Sequence, residues 1–290
     1  MIKNKVLVTG GLGYIGSHTV VELIKGGYEV VIIDDLSNSQ LFTLDNIEKI
    51  TGIRPEFHKI DISNKEKVFE FFKSENNIDV IIYFGVFKAI EKSVIKPFKF
   101  FRNNLSSLIN LLVCMETFGI CNILFSSSAK VYGEPDVLLV KEGNSFQTSM
   151  SAYGSPKKKR KEILEKVSDT DSVSAISLRH FNPVSAQESS LHVELPIPFI
   201  TQIASRISEK LTIYGSDYNT TKGTYIRYYK PTVEIAIAHV KSCDHLLNVL
   251  VKKNYEKFNI GTVTGISMIE INEVFEKHDK IKLNYTIIYH

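Results

Sequence analysis

The stretch Lys5-Val-Leu-Val-Thr-Gly-Gly-Leu-Gly-Tyr-Ile-Gly-Ser17 limits most tightly what this chain can fold into. The apolar run Val6–Val8 breaks into Gly10, Gly11, Gly13 and Gly16. Behind it Ile15, Val20, Val21, Leu23 and Ile24 recur at helical spacing. Strand, tight turn, helix is the pattern. Such a turn gathers backbone N–H groups and a helix N-terminus at one point, where a pyrophosphate can sit. Glycine is required because a Cβ would block the turn, the approach of the phosphate or the helix-to-strand contact. The next apolar run, Val30–Ile33, ends in Asp34, 18 residues after Gly16. An acid at that place can take both ribose hydroxyls of an adenosine and would repel a 2′-phosphate. NAD is therefore expected in preference to NADP.

Composition excludes several other classes. At 290 residues the chain suits one large or two modest domains. A net charge of +3 gives no argument for nucleic acid or a membrane surface. Cys114, Cys121 and Cys243 stand apart from one another and from histidine, so neither a zinc site nor a disulfide framework is expected. No apolar run is long enough to span a membrane, and Met1 leads straight into a strand. A cytoplasmic protein without a metal is the expectation.

Strand-like and helix-like segments alternate as far as Asn182. Val6–Val8, Val30–Ile33, Glu56–Ile60, Asp79–Phe84, Asn122–Phe125 and Val173–Leu178 read as strands, and Lys65–Phe72 and Leu105–Phe118 as helices. That alternation predicts an α/β fold, a doubly wound parallel sheet with helices on both faces. After Asn182 prolines punctuate the chain. Phe199–Ile207 and Ile235–Leu250 read as helices, Leu211–Tyr214 as a strand and Gly215–Thr224 as a loop. The expected division is a dinucleotide-binding Rossmann domain over residues 1–182 and a smaller, mixed substrate lobe over 183–290.

Ligands of such sheets collect at the carboxyl ends of the strands. Asp34, Asp61, Ser126–Ser128 and Asn182 fall there. Tyr153-Gly-Ser-Pro-Lys157 opens a helical segment and places tyrosine and lysine four apart, on one face. An ammonium beside a phenol favours the phenolate, so Tyr153 could act as a general base near neutral pH. Tyr218 and Lys222 share this spacing, but in a loop composition where residues four apart need not meet. The basic run Lys157–Lys161 reads as a solvated helix face with Lys157 turned inward.

Taken together, Thr9-Gly-Gly-Leu-Gly-Tyr-Ile-Gly-Ser-His18, Asp34-Asp-Leu-Ser-Asn38, Phe125-Ser-Ser-Ser-Ala-Lys-Val-Tyr-Gly133, Tyr153–Lys157 and Arg179-His-Phe-Asn-Pro183 resemble the extended short-chain dehydrogenase/reductases. Among these the sequence is most similar to the UDP-glucose 4-epimerases, also called UDP-galactose 4-epimerases. The likeness keeps the motif order over nearly the whole chain. It implies reversible hydride removal from C4 of UDP-glucose or UDP-galactose on tightly held NAD, through a 4-keto sugar. Tyr153 matches the family base, Ser128 the serine that bonds the 4-oxygen, and Lys157 the lysine that holds the nicotinamide ribose. The glycine turn, with Gly10, Gly13 and Gly16, matches the family's pyrophosphate cradle. Further cofactor contacts carry over to Tyr14, Ile15, Asp34, Asp35, Asn38, Asp61, Ile62, Phe84, Gly85, Lys88, Asn103 and Phe181. Substrate contacts carry over to Asn182, Tyr214 and Arg227 as well as Ser128. A homodimer is implied too.

The sequence departs from the family at several places. Tyr83-Phe-Gly-Val-Phe-Lys88 replaces His-Phe-Ala-Gly-Leu-Lys, which makes Val86 and Phe87 bulky. Lys130 stands for a threonine, His180 for a tyrosine and Tyr214 for a phenylalanine. Leu195-Pro-Ile-Pro-Phe199 replaces an Ile-Pro-Asn-Asn-Leu loop, and Arg227-Tyr-Tyr-Lys-Pro231 replaces Arg-Asp-Tyr-Ile-His. Family members continue past the point matching His290, with an arginine for the diphosphate. The expected consequence is a weakened substrate lobe with apolar surface exposed around Ile266, Ile269 and Ile271. Two further readings stay open: a related nucleotide-sugar dehydratase or dehydrogenase, and an NAD-binding protein with little or no turnover.

Overall fold

The computed structural model describes residues 4–75, 77–84, 97–133, 140–144, 154–170, 173–184, 211–215, 217–218, 220, 222–248, 254–262, 264–280 and 282–288. Two compact units emerge, one of residues 1–180 with 233–260, the other of 181–232 with 261–290.

The first unit is built on a seven-stranded parallel sheet. Its strands are β1 (Lys5–Thr9), β2 (Glu29–Asp34), β3 (Glu56–Lys59), β4 (Ile78–Tyr83), β5 (Asn122–Ser128), β6 (Ser174–His180) and, later in the chain, Tyr255–Ile260. Numbering the short strands between them β7 (Asn182–Val184), β8 (Leu211–Tyr214), β9 (Ile226–Arg227) and β10 (Tyr229–Pro231) makes that last one β11. The spatial order is β11-β6-β5-β4-β1-β2-β3. Among the described residues its helices are α1 (Tyr14–Lys25), α2 (Phe42–Thr51), α3 (Lys65–Ser74), α4 (Pro97–Phe118), α5 (Gly154–Ser168) and α6 (Thr232–Asn248).

Strands buried on both faces need continuous apolar runs, and period two sends alternate residues to opposite sides. Val6, Val8, Ile32, Val80, Ile82 and Leu124 join Val20 and Leu23 of α1, Ile47 of α2 and Leu246 of α6 in one core. Leu7, Val31, Ile33, Ile81, Ile123 and Phe125 join Phe72 of α3, Leu111 of α4 and Leu164 of α5 in another. Each fully buried aliphatic contributes roughly 1.5–3 kcal/mol, so the two layers hold the sheet from both sides. The doubly wound expectation holds.

Val233–Ile260, placed with the substrate lobe by sequence order, belongs to the first unit. Two contacts explain this. β11 pairs in parallel with β6, from Tyr255↔Ala175 to Ile260↔His180. Cys243 and Leu246 of α6 bury on the Val6/Val8 core.

Among the described residues the second unit holds three strand pairs: β7 with β10, β9 with β12 (Ile266–Ser267), and β8 with β13 (Tyr285–Ile288). Helix α7 (Met268–Asp279) starts with a capping box between Ser267 and Glu270. Ile213, Met268 and Leu283 form a small core, against which Ile269, Ile271 and Phe275 pack. Of the three isoleucines expected on the surface, Ile266 is exposed, at 39%. Ile269 and Ile271 instead face this core. The expected helix at Phe199–Ile207 lies outside the described residues. Among the described residues no helix is long and apolar enough to cross a membrane.

Candidate active site

β1 ends in the glycine turn. Gly10 has φ +69°, the left-handed region that favours glycine. Its N–H donates to the Ile33 carbonyl at 2.7 Å, and its carbonyl accepts from Gly13 N–H at 3.1 Å. A Cβ on Gly16 would come 2.3 Å from the Gly10 carbonyl oxygen, so α1 and the turn touch backbone to backbone. Gly13 caps α1 without a side-chain acceptor. A helix N-terminus capped in this way offers its amides to an acceptor such as a phosphate. A cradle closed to any larger residue, opening onto a helix N-terminus, fits the pyrophosphate of a dinucleotide. Tyr14, Ile15 and Gly16 form that first turn and are buried.

Asp34 closes β2 beside the turn and is buried. Its Oδ2 accepts from Leu12 N–H at 3.1 Å, and its Oδ1 from Leu36 N–H at 2.9 Å and Ser39 Oγ at 2.7 Å. One carboxylate therefore ties the glycine turn to the loop after β2. With three of its roughly four acceptor positions filled, it has room for about one ribose hydroxyl. The sequence had suggested two. Asp35 Oδ1 accepts from Ser37 N–H at 2.9 Å, a local turn that allows Leu36 a φ of +61°, and Asn38 donates to Ser37 Oγ.

Other positions named from the sequence also end strands. Asp61 follows β3, where its side chain accepts from Ser63 N–H at 2.8 Å. The carbonyl of the adjacent Ile62 accepts from Asn110 at 3.0 Å. Phe84 follows β4, its N–H donating to the Thr9 carbonyl at 3.1 Å. Ser126, Ser127 and Ser128 form the buried last three residues of β5, paired with Leu178, Arg179 and His180 of β6. Asn103 is buried in α4 and accepts from Ser107 Oγ through its carbonyl. Gly85, Lys88 and Tyr153 lie outside the described residues, as do the side chains of Lys130, Lys157 and Tyr214.

Position 157 shares a face of α5 with 160 and 164 by helical spacing. Arg160 and Leu164 are both buried, at 1% and 0% exposure. Arg160 is thus no part of a solvated basic face, which is a correction. Its guanidinium lies 5.5 Å from the centre of the Phe125 ring, and it acts on Tyr83, which stacks on Phe125 at 5.7 Å. Burial raises the Tyr83 phenol pKa, and the Arg160 charge opposes that. Lys159 does face outward and Lys161 is half-buried, each paired with a glutamate on the next turn.

In the second unit, Arg227 Nη1 donates to Asn182 Oδ1 at 3.2 Å, and its guanidinium lies 4.6 Å from the centre of the Tyr225 ring. Asn182 in turn is held by Tyr228, whose carbonyl accepts the Asn182 N–H at 3.0 Å. Phe181 packs edge-on to Tyr228, and a Cβ on Gly261 would come 2.6 Å from its ring, so glycine makes room for that phenylalanine. Tyr214 ends β8 opposite Ile288. The second tyrosine–lysine spacing does not form a pair of the required kind: Lys222 is bonded to Glu273 at 2.8 Å, and Tyr218 is exposed.

Sequence reasoning missed two features. His239 of α6 lies with its ring centre 4.8 Å from that of Phe84. Burial holds its pKa down to about 4, partly opposed by the Ile235 carbonyl 2.7 Å from Nδ1. A polar group also links Tyr132, Arg179 and Asn259 just beyond Ser128. Tyr132 and Arg179 stand inside quoted motifs, whereas nothing around Asn259 marks it.

Comparison with known proteins agrees with this geometry. A family model described as GDP-mannose 4,6 dehydratase matches residues 7–287. The UDP-glucose 4-epimerase of Bacillus subtilis is 38% identical over 94% of this chain and 81% of its own length. That of Drosophila melanogaster is 37% identical over 98% and 84%. Among solved structures, the UDP-glucose 4-epimerase of Stenotrophomonas maltophila, with bound NAD and formylated UDP-arabinopyranose, superposes with a TM-score of 0.92 at 34% identity, covering 99% of this chain and 86% of that one. The Bifidobacterium longum enzyme, in complex with NAD+ and UDP, gives 0.90 at 35% identity, covering 99% and 87%. A glycine cradle with a buried acid at the end of β2, in a chain that matches these enzymes almost end to end, means that the chain belongs to the UDP-glucose 4-epimerase family of extended short-chain dehydrogenase/reductases.

Proposed function

We propose that this chain interconverts UDP-glucose and UDP-galactose by inversion at C4, using NAD. The observation that carries the proposal is the near full-length likeness to epimerases solved with NAD, at TM-scores of 0.90 and 0.92. The glycine turn and Asp34 hold the dinucleotide, with Phe84, Asp61 and Ile62 along the same sheet edge. When bound, NAD supplies reversible hydride exchange with sugar C4.

The chain's own residues manage the proton and the orientation. Tyr153 takes the proton of the 4-hydroxyl as the 4-keto sugar forms, and returns it to the 4-oxygen after the sugar has turned over. For this its phenol must ionise well below its ordinary value near 10, and the Lys157 ammonium favours that ionisation. Position 157 stands at helical spacing from Arg160 and Leu164, both buried, which supports a role inside the unit. Ser128, at the end of β5, bonds the 4-oxygen. Arg227 and Asn182, already bonded to one another, provide a cation and an amide for the uridine diphosphate.

We also infer a cytoplasmic homodimer. Helix α4 presents Ile109 and Val113, one turn apart and 47% and 40% exposed, which supports an interface on that helix. Incubation of the purified protein with NAD and UDP-galactose, read by NMR for the UDP-glucose anomeric signal, tests the activity. NAD-loaded protein that leaves UDP-galactose unchanged would refute it.

A further inference from the structure

We infer that Tyr132 is a positioning residue for Ser128, acting through a buried polar network that reaches across three strands. This rests on the epimerase reading for the role of Ser128, though not for the network itself. Ser128 ends β5 and is followed at once by the single 3₁₀ turn Ala129–Tyr132. The strand register fixes the near side of the serine, with Ser127 opposite Arg179 and Arg179 opposite Asn259. Ser128 itself is the last ladder position, opposite His180, and the chain leaves the strand directly after it.

Tyr132 anchors the turn that follows. Its hydroxyl accepts from Arg179 Nη1 at 2.5 Å and donates to Asn259 Oδ1 at 2.8 Å. The Arg179 guanidinium also lies 5.1 Å from the centre of the Tyr132 ring, and its Nη1 donates to the Glu142 carbonyl at 3.1 Å. Asn259 is held in turn. Its N–H donates to Glu142 Oε1 at 2.8 Å and its amide nitrogen to the Val140 carbonyl at 2.9 Å. Tyr132 and Arg179 are 2% and 1% exposed, so the bond between them is shielded from competing water, while the bonds to Asn259 and Glu142 are half-buried. The hydroxyl thereby anchors the turn that leaves Ser128 to β6, β11 and the 140–144 segment together. Each of these groups is more than a packing partner, since together they fix a direction as well as a distance.

A hydroxyl that positions Ser128 should affect the transition state more than binding. Tyr132→Phe keeps the ring and removes both hydroxyl bonds. Its kcat should fall about tenfold to a hundredfold, the scale of a small misplacement near the reacting atoms, with KM for UDP-galactose and NAD content little changed. Because a buried arginine loses an acceptor, the variant will also be less stable. Val68→Ala, on α3 and outside this polar network, serves as a control: truncating its buried side chain should lose stability but not kcat. Asn259→Ala should reproduce the kcat loss, and the double variant should be no slower than either single one, since both break the same link. Hydrogen exchange at residues 126–132 should quicken in Tyr132→Phe while β1–β3 stay protected. That readout needs no turnover, so it separates failure of this inference from failure of the epimerase reading. Unchanged exchange at 126–132, or a kcat loss no greater than that of Val68→Ala, would overturn it.

Discussion

Replacing Asp34 with alanine tests both halves of the cofactor argument, because this carboxylate organises the turn before any ligand arrives. The structure sets the magnitudes. Three donors converge on it, and Leu12 N–H is the buried one. Left without an acceptor, that amide costs about 1–3 kcal/mol, while Leu36 N–H and Ser39 Oγ, nearer the surface, recover part of their loss from water. The whole change should destabilise the unit by about 2–4 kcal/mol, or about 4–8 °C in Tm for a chain of this size. On top of that comes the ribose contact. One free acceptor position means one charge-assisted bond, about 1.5–3 kcal/mol, so NAD affinity should fall about tenfold to a hundred-and-fifty-fold. Discrimination against NADP should narrow in the same variant, since the charge that repels a 2′-phosphate is gone. Asp34→Asn should recover part of the stability through its carbonyl oxygen but not the discrimination. Thermal melts without ligand, and titration with NAD and NADP, separate the terms. Equal affinity of the unaltered chain for NAD and NADP would refute the assignment. So would an Asp34→Ala protein with unchanged Tm, because the three bonds would then be worth nothing.

Other outcomes follow from single contacts. Gly16→Ala puts a Cβ 2.3 Å from the Gly10 carbonyl oxygen and should cost about 1–3 kcal/mol together with NAD binding. Gly52→Ala, with φ +71° but open space, should cost about 1–2 kcal/mol and leave NAD binding alone, as paired titrations and melts would show. Tyr153→Phe should slow epimerisation at least about a hundredfold, while Tyr218→Phe should change it little; the reverse ranking in a kcat assay would mean that the wrong tyrosine had been chosen. The His239 pKa lies below its unfolded value near 6.5, so the unfolded chain takes up a proton that the folded one refuses. The stability that the neutral ring protects is therefore present above about pH 6.5 and lost as pH falls toward about 4, by about 3 kcal/mol over that span. His239→Phe should flatten that part of a urea-melt pH profile.

The first unit was legible because its signals are local. Val6–Val8 and Val30–Ile33 are strands buried on both faces, and such strands must be written as unbroken apolar runs. Gly10 and Gly16 announce the cradle because no other residue fits those two places. Asp34 was legible as the acid after β2, but not as a residue already holding three donors. Those donors are Leu12, Leu36 and Ser39, and two of them are backbone amides, which a sequence does not distinguish from any others.

What the sequence hid is what depends on distant pairing. β11 reads as a weak, mixed strand, Tyr-Glu-Lys-Phe-Asn-Ile, because it lies at the sheet edge and is only partly buried. Its place beside β6 brings Val233–Ile260 back to the first unit, and no composition shift at residue 233 marks the return. Arg160 shows the same limit from another side. Inside Lys157–Lys161 it looks like one more surface cation, yet the helix turns it onto Phe125 and Tyr83. A charge in that place is stable only because a ring face and polar neighbours receive it. Asn259 joins both effects: an edge-strand residue with no motif around it, bonded to a tyrosine 127 positions earlier. A sequence displays the groups that a local turn demands, and it conceals the groups that satisfy one another only after the sheet has closed.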